Sequence, residues 1–253
     1  MSRRRLLTMV VAPTLVIGLV IGTLMLVDAA NRREQVRVAD AAAAEYTEAL
    51  QAFRKEVAAG VETADFEDAV AVGDFVAQAA QDLPELAAVD GHGARASDAY
   101  RFAESVRAQM RESLDDLQEK VEGARRAQSF VAAAEQALAV DPRSFLSSTT
   151  LSDGGPVRAQ VLPPLRNALA GVEDLDVPEG ADEAHQEVAD AIRFVIGEAE
   201  TLAAELDAGR GYQFEFGIRY GEARSELARY SATSEASLRE AFDRVVGEPA
   251  ATA

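Results

Sequence analysis

Apolar residues recur at every third or fourth position over most of the chain, a spacing that predicts amphipathic helices. The first stripe has the seam spacing of a coiled-coil-like helix. Its members are Val36, Ala39, Ala43, Tyr46, Leu50, Phe53 and Val57. We expect this helix to continue from the apolar N-terminal segment as a rigid stalk.

Four further stripes predict four further helical regions. The second comprises Phe66, Val70, Gly73, Ala77 and Ala80, and it ends at Pro84. The third comprises Ala99, Phe102, Val106, Met110, Ser113, Leu117, Val121 and Ala124, with a continuation through Phe130, Val131, Ala134 and Leu138. The fourth comprises Val188, Ile192, Val195, Ala199, Leu202 and Leu206. The last comprises Phe216, Tyr220, Ala223, Leu227, Tyr230, Ser234, Leu238, Phe242 and Val246.

The N-terminal segment has the pattern of a membrane anchor. Three arginines at 3–5 precede an apolar run over residues 6–27, and the first acidic residue is Asp28. At a 1.5 Å rise, the run reaches about 33 Å, enough for a hydrocarbon core of about 30 Å. The arginines favour a cytoplasmic N-terminus and an extracytoplasmic C-terminal domain. Cleavage of a signal near Ala29 remains the alternative, because small residues surround that position.

The fold class predicted is all-α: an N-terminal single transmembrane helix continuing into an elongated antiparallel helical-bundle ectodomain. The spacing of three and four prevails along the chain, so no sheet is expected. Glycine and proline clusters then divide the chain. The predicted parts are a cytoplasmic N-terminus (1–5), a transmembrane signal-anchor (6–27), a stalk helix (28–60), a first bundle part (61–140), a linker (141–156), a second bundle part (157–247) and a disordered tail (248–253).

The net charge and the composition limit the kinds of molecule that the protein is expected to bind. The formal net charge is −18, and such a field repels phosphate backbones, so we expect no nucleic-acid binding. Arginine outnumbers lysine 23 to 2 and alanine is abundant, a bias that points to a GC-rich bacterial genome. Residues 6–27 would contact the lipid bilayer. Gly18 and Gly22 have the GxxxG spacing of paired transmembrane helices, which leaves a homo-oligomer open.

The residues that usually carry catalysis are scarce. The chain has no cysteine and two histidines, so neither an activated nucleophile nor a zinc site is indicated. His185 extends the fourth stripe and is expected to be partly buried at a bundle end. The acidic residues from Glu173 to Glu179 lack calcium-loop spacing and are interpreted as a solvated turn. The sequence therefore predicts no enzymatic activity, no cofactor and no metal.

One aromatic-rich stretch, residues 209–221, stands out from the helices. It holds four aromatic residues and four glycines in thirteen positions. Two interpretations remain, an irregular turn that fills the core and an exposed recognition patch, and tyrosine and arginine are favoured in interfaces. The candidate partner-binding residues are Arg210, Tyr212, Phe214, Phe216 and Tyr220.

Two functions fit these features. The first is a membrane-anchored extracytoplasmic scaffold that contributes to a bacterial cell envelope complex through an unknown envelope or membrane protein partner. The second is a ligand-sensing helical-bundle ectodomain. Such a sensor would need a partner membrane subunit, because no apolar run after residue 27 reaches about 18 residues.

Overall fold

The structure is a computed structural model that describes residues 3–66, 68–145 and 151–247, with residues 3–27 described by their backbone alone. Helix accounts for 82% of it, and no strand occurs among these residues. The prediction of an all-α protein is confirmed. The predicted tail at 248–253 lies outside the described residues.

Seven α-helices and two short helical turns make up the described chain. The α-helices are α1 (Arg3–Thr63), α2 (Ala69–Gln81), α3 (Gly91–Ala96), α4 (Asp98–Leu138), α5 (Leu162–Glu173), α6 (Asp182–Asp207) and α7 (Gly217–Val246). A 3₁₀ turn covers Pro142–Phe145, and a π-helical turn over Val157–Val161 leads into α5. The short helix α3 begins directly after Asp90. The long rod predicted from residue 99 to residue 138 is confirmed as the single helix α4.

The first helix follows its predicted pattern. Six of the seven stripe residues are buried, and the seventh, Val36, is half-buried. The backbone of α1 is continuous from Arg3, which agrees with a stalk that continues from the N-terminal segment. In the described part of the chain, no helix is long and apolar enough to cross a membrane. The predicted span at 6–27 therefore lacks support from the described residues, and its side chains lie outside them.

The chain divides into two compact units. Of the described residues, unit 1 contains those from Arg3 to Gly60, Ala79–Leu114, Val246 and Gly247. Unit 2 contains Val61–Gln78 and Asp115–Val245. The predicted division into consecutive bundle parts and a linker stays a prediction.

Unit 1 holds the start of α4 against α1. Ser97 Oγ accepts a hydrogen bond from Tyr100 N at 2.9 Å, which caps α4, and donates to Asp40 Oδ1 at 2.5 Å. Tyr100 is buried and its hydroxyl donates to the carbonyl of Ala87 at 2.9 Å. The predicted buried face was wrong in this first turn, because Ala99 and Phe102 are exposed.

The predicted face of α2 was also wrong. Asp68 caps this helix by accepting from the N–H groups of Val70 and Ala71 at 3.0 and 2.9 Å. The buried face is then offset by one position from the predicted stripe, and Val70 is 58% exposed. The residues buried on α2 are Ala69, Val72, Val76 and Ala79. Alanines occupy both faces of this helix, so the pattern alone did not distinguish them.

Unit 2 has a continuous apolar core built from the second half of α4, the π-helical turn, α5, α6 and the first half of α7. Val188, Ile192, Val195 and Ala199 are fully buried, which confirms the centre of the fourth stripe, whereas Leu202 and Leu206 are half-buried. Gly154 packs so closely on α6 that an added Cβ would lie 2.3 Å from the carbonyl oxygen of Ala203. Because α6 and α7 both pack in this core, the core positions the segment that connects them.

Candidate interaction surface

The aromatic stretch begins where α6 is forced to stop. Gly209 has a φ of +68°, in the left-handed region that favours glycine. Its N–H donates to the carbonyl of Leu206 at 3.0 Å, and the N–H of Arg210 donates to that of Glu205 at 2.8 Å. These two bonds form a Schellman motif that ends the helix. Arg210 Nη2 also donates to Glu205 Oε1 at 2.8 Å, so Arg210 is held at the helix end.

Residues 210–216 follow without helix, and alternate side chains turn toward the protein. Tyr212, Phe214 and Phe216 are half-buried, whereas Gln213 and Glu215 are exposed. Alternation of this kind is the side-chain geometry of extended backbone. This single extended segment thus directs three aromatic rings toward the interior of unit 2, to which it belongs.

The first of these rings is held by a carboxylate. The Tyr212 hydroxyl donates to Glu198 Oε2 on α6 at 2.8 Å. This hydrogen bond, together with partial desolvation and the nearby negative charges of Glu198, Glu205 and Glu215, raises the pKa of Tyr212. Tyr212 is therefore a neutral hydrogen-bond donor at neutral pH.

The remaining aromatic residues form a chain of ring contacts from the surface into the core. The rings of Phe214 and Phe216 have centroids 5.5 Å apart, and Phe216 meets Tyr220 edge-on at 5.7 Å. Tyr220 is only 3% exposed and belongs to the buried core, and burial raises its pKa to about 12. The core-filling interpretation thus describes Tyr220, whereas Phe214 and Phe216 lie between core and solvent.

Neighbouring side chains extend this site into a surface. Ile218 is 73% exposed and Phe194 of α6 is 41% exposed. The guanidinium of Arg143 lies 5.0 Å from the ring centre of Phe216, and that of Arg219 lies 5.5 Å from the ring centre of Phe194. We call the set Arg143, Phe194, Phe214, Phe216, Ile218 and Arg219 the aromatic surface. These residues line an open cavity of about 620 Å³ within unit 2.

The structure therefore brings together two of the five predicted residues, Phe214 and Phe216, on this surface. Tyr212 and Arg210 lie nearby but are bonded to acidic residues of α6. Sequence reasoning missed Phe194 and Arg143, and it did not select Ile218 and Arg219, although both lie in the aromatic-rich stretch 209–221. A signal existed for Phe194, a large apolar residue that falls off the buried stripe of its helix. No sequence signal existed for Arg143, which is far along the chain from the stretch 209–221.

The other candidate residues are accounted for by local contacts. Glu173 accepts from Arg193 Nη2 at 2.6 Å on the protein surface, as expected of a solvated acidic turn. His185 is half-buried, as predicted, and its Nε2 lies 2.8 Å from the carbonyl oxygen of Val172. Among the described residues, no three His, Cys, Asp or Glu side chains are grouped to hold a metal ion.

A second cavity lies in unit 1, between α1 and the first half of α4. Its volume is about 510 Å³, and it also contacts Val246. Its principal lining residues are Tyr46, Leu50, Arg54, Lys55, Phe102 and Val106. The cavity combines apolar side chains with two basic ones.

The described chain is thus an all-α protein of two compact units, with one exposed aromatic surface and one cavity of mixed apolar and basic character as its candidate sites. Comparison with protein-family models, with curated proteins and with solved structures finds no match to this chain. These two sites are therefore the features of the described chain that bear on its function.

Proposed function

We propose that the protein is a membrane-anchored, extracytoplasmic helical-bundle scaffold of a bacterial cell envelope complex, without catalytic activity of its own. In this proposal α1 ties the bundle to the membrane, and unit 2 binds a protein partner through the aromatic surface.

The observation that carries the proposal is the exposure of apolar groups beside arginines on that surface. Ile218 and Phe194 present apolar area to solvent, and Arg143 and Arg219 stack near the rings of Phe216 and Phe194. Aromatic residues and arginine are enriched in the centres of protein interfaces, where few residues carry most of the binding free energy. In a strongly acidic chain, such a surface offers specificity that charge alone does not.

The membrane attachment in this proposal is supported by sequence. Residues 6–27 are apolar and follow three arginines, and α1 continues without interruption from Arg3 into the bundle. An anchor of this type would keep the protein attached to the bilayer.

A photoreactive amino acid placed at Ile218 tests the partner-binding surface in living cells. We expect a covalent adduct with a distinct protein at position 218, and its loss in the presence of Phe194→Ala. The matched control is the same amino acid at Val70, which is also strongly exposed in unit 2 but lies outside the aromatic surface. Equal adducts at both positions, or none at 218, would contradict the surface.

Protease treatment of wall-stripped cells tests the anchor separately. Protease should remove the ectodomain and leave a small membrane-bound fragment. Recovery of a mature soluble protein that begins near Ala30 would instead show that the segment is a cleaved signal.

The alternative function is that of a ligand-sensing ectodomain that acts through a partner membrane subunit. The cavity in unit 1 favours this alternative, because its size lies within the range of about 300–1,000 Å³ usual for small-molecule sites. Ligand binding there would be transmitted through α1, whose residues line the cavity.

A further inference from the structure

The cavity in unit 1 has the opposite charge to the protein around it. The chain carries 43 acidic and 25 basic residues, yet the lining that the structure describes contains Arg54 and Lys55 and no Asp or Glu. Lys55 is one of only two lysines in the sequence. A basic, partly enclosed site in an acidic protein attracts and concentrates small anions.

The cavity wall also includes a buried hydroxyl group that lacks a partner. Tyr46 is 2% exposed, and its hydroxyl makes no hydrogen bond to any described residue. The buried Nε of Arg107, on the adjoining face of α4, likewise has no hydrogen-bond partner in the described chain. Buried polar groups are normally satisfied, and an unsatisfied one costs free energy. The Tyr46 hydroxyl oxygen is itself covered by protein, so it forms part of the wall behind the cavity and is not within reach of a ligand.

Nearby guanidinium groups reinforce this polarity. Burial raises the pKa of Tyr46, and the positive charges of Arg107, Arg54 and Arg111 oppose that rise. The Tyr46 hydroxyl therefore lies in a region of positive potential contributed by α1 and α4. A ligand in the adjoining cavity is therefore favoured when it carries negative charge.

The rest of the lining is apolar. Leu50 and Val106 are buried beneath the cavity, and Phe102 is 51% exposed at its edge. A large exposed phenylalanine beside a cavity offers contact area to a ligand without being required for the core. The site thus has one apolar side and one cationic side.

We propose that this cavity binds a small, water-soluble amphiphilic carboxylate, with its apolar body against Leu50, Val106 and Phe102 and its carboxylate facing Lys55 and Arg54. This inference deepens the ligand-sensing alternative by naming its ligand class. It is independent of the aromatic surface, which lies in unit 2, so either can fail without the other.

Three probes that share one apolar body test the charge requirement. They are 4-phenylbutyrate, 4-phenylbutanol and 4-phenylbutylamine, titrated calorimetrically into the full chain in lipid nanodiscs, with empty nanodiscs subtracted. We expect the carboxylate to bind about tenfold or more tightly than the alcohol, as one charge-assisted hydrogen bond would give, and the amine to bind most weakly. Added salt should weaken carboxylate binding.

Variants then assign the binding to this cavity. Lys55→Gln should weaken carboxylate binding about tenfold, whereas Lys120→Gln, which removes the same charge from a residue of unit 2, should not. Phe102→Ala should weaken all three probes, because it removes apolar contact at an exposed position.

Equal affinity for the three probes would overturn the proposal, as would the absence of carboxylate binding at millimolar concentration. Equal effects of Lys55→Gln and Lys120→Gln would also overturn it, since they would place the anion elsewhere. Because Lys55 and Phe102 are exposed, the variants at these two positions should fold, so their results decide the matter.

Discussion

Ser97 and Asp40 lie 57 residues apart in the sequence and are joined by a hydrogen bond of 2.5 Å from Ser97 Oγ to Asp40 Oδ1. The same hydroxyl accepts from Tyr100 N at 2.9 Å. One buried serine therefore caps α4 and ties its first turn to α1. This double role sets which face of α4 is buried at its start and exposes Phe102 at the edge of the unit 1 cavity.

We predict that Ser97→Ala lowers the free energy of unfolding by about 1–3 kcal/mol, through loss of the cap and of a buried hydrogen bond. Ser105→Ala on the same helix is the control, because the Ser105 hydroxyl only donates to the carbonyl of Phe102 on an exposed face. That variant should change stability by less than about 0.5 kcal/mol. Urea unfolding followed by circular dichroism measures both. Equal effects would show that the link to Asp40 contributes little.

Two glycines should respond to alanine in opposite directions. Gly154→Ala places a Cβ 2.3 Å from the backbone oxygen of Ala203, so the chain must shift, and we expect a loss of about 1–3 kcal/mol. Gly123→Ala adds a Cβ inside α4 with no atom within 4 Å, so it should gain about 0.5–1 kcal/mol from helix propensity. Thermal unfolding of the two variants gives the comparison. A stable Gly154→Ala protein would mean that this contact is looser than the structure describes.

Two positions on α6 separate the core from the aromatic surface. Ile192 is fully buried, and Ile192→Ala should cost about 2–5 kcal/mol. Phe194→Ala should change stability far less, because the Phe194 ring is partly exposed beside Arg219. Denaturant unfolding tests both variants. If Phe194→Ala proves as destabilising as Ile192→Ala, any loss of partner binding in that variant would be explained by unfolding and not by removal of a ring from the aromatic surface.

The titration of Tyr220 gives a pH prediction. Burial raises its pKa from 10.0 to about 12. The folded-state pKa of Tyr220 thus exceeds its unfolded-state pKa, because the folded protein favours the neutral hydroxyl. The free energy of unfolding is therefore unaffected by this group below pH 10, and it falls as the pH rises from 10 toward 12. Ultraviolet absorbance should show a tyrosine step near pH 12 that Tyr220→Phe removes.

The same variant should not be less stable than the wild type at neutral pH, because the buried Tyr220 hydroxyl has no hydrogen-bond partner in the described chain. A clear loss of stability would reveal a partner for that hydroxyl. Titration of all tyrosines near pH 10 would contradict its burial.

Local pattern was sufficient where one face of a helix is plainly more apolar than the others. Tyr46, Leu50, Phe53 and Val57 on α1 are buried as their spacing predicts. The length of α4 and the half-buried position of His185 also followed from periodicity. A helix that buries one face needs an apolar residue at every third or fourth position, so the sequence itself shows which face is buried.

The spacing of apolar residues did not predict the buried face where two faces of a helix are nearly equally apolar, or where an N-cap fixes the rotation of the helix about its axis. On α2, alanines lie on both sides, and the capping Asp68 and the surrounding packing select the face that bears Val72 and Val76. At the start of α4, the bonds of Ser97 and Tyr100 bury Tyr100 and expose Phe102. The free-energy difference between such faces depends on partners elsewhere in the chain, which periodicity does not contain.

The sequence by itself determined an all-α chain, the positions of most helices and a single aromatic anomaly before α7. Only the tertiary structure decided that Tyr220 belongs to the core, that Phe194 and Arg143 complete the aromatic surface around Phe216, and that Lys55 and Phe102 line one cavity. The reason is physical. Helix formation depends on neighbours three and four positions away, whereas a binding surface depends on side chains that meet only after distant segments have packed.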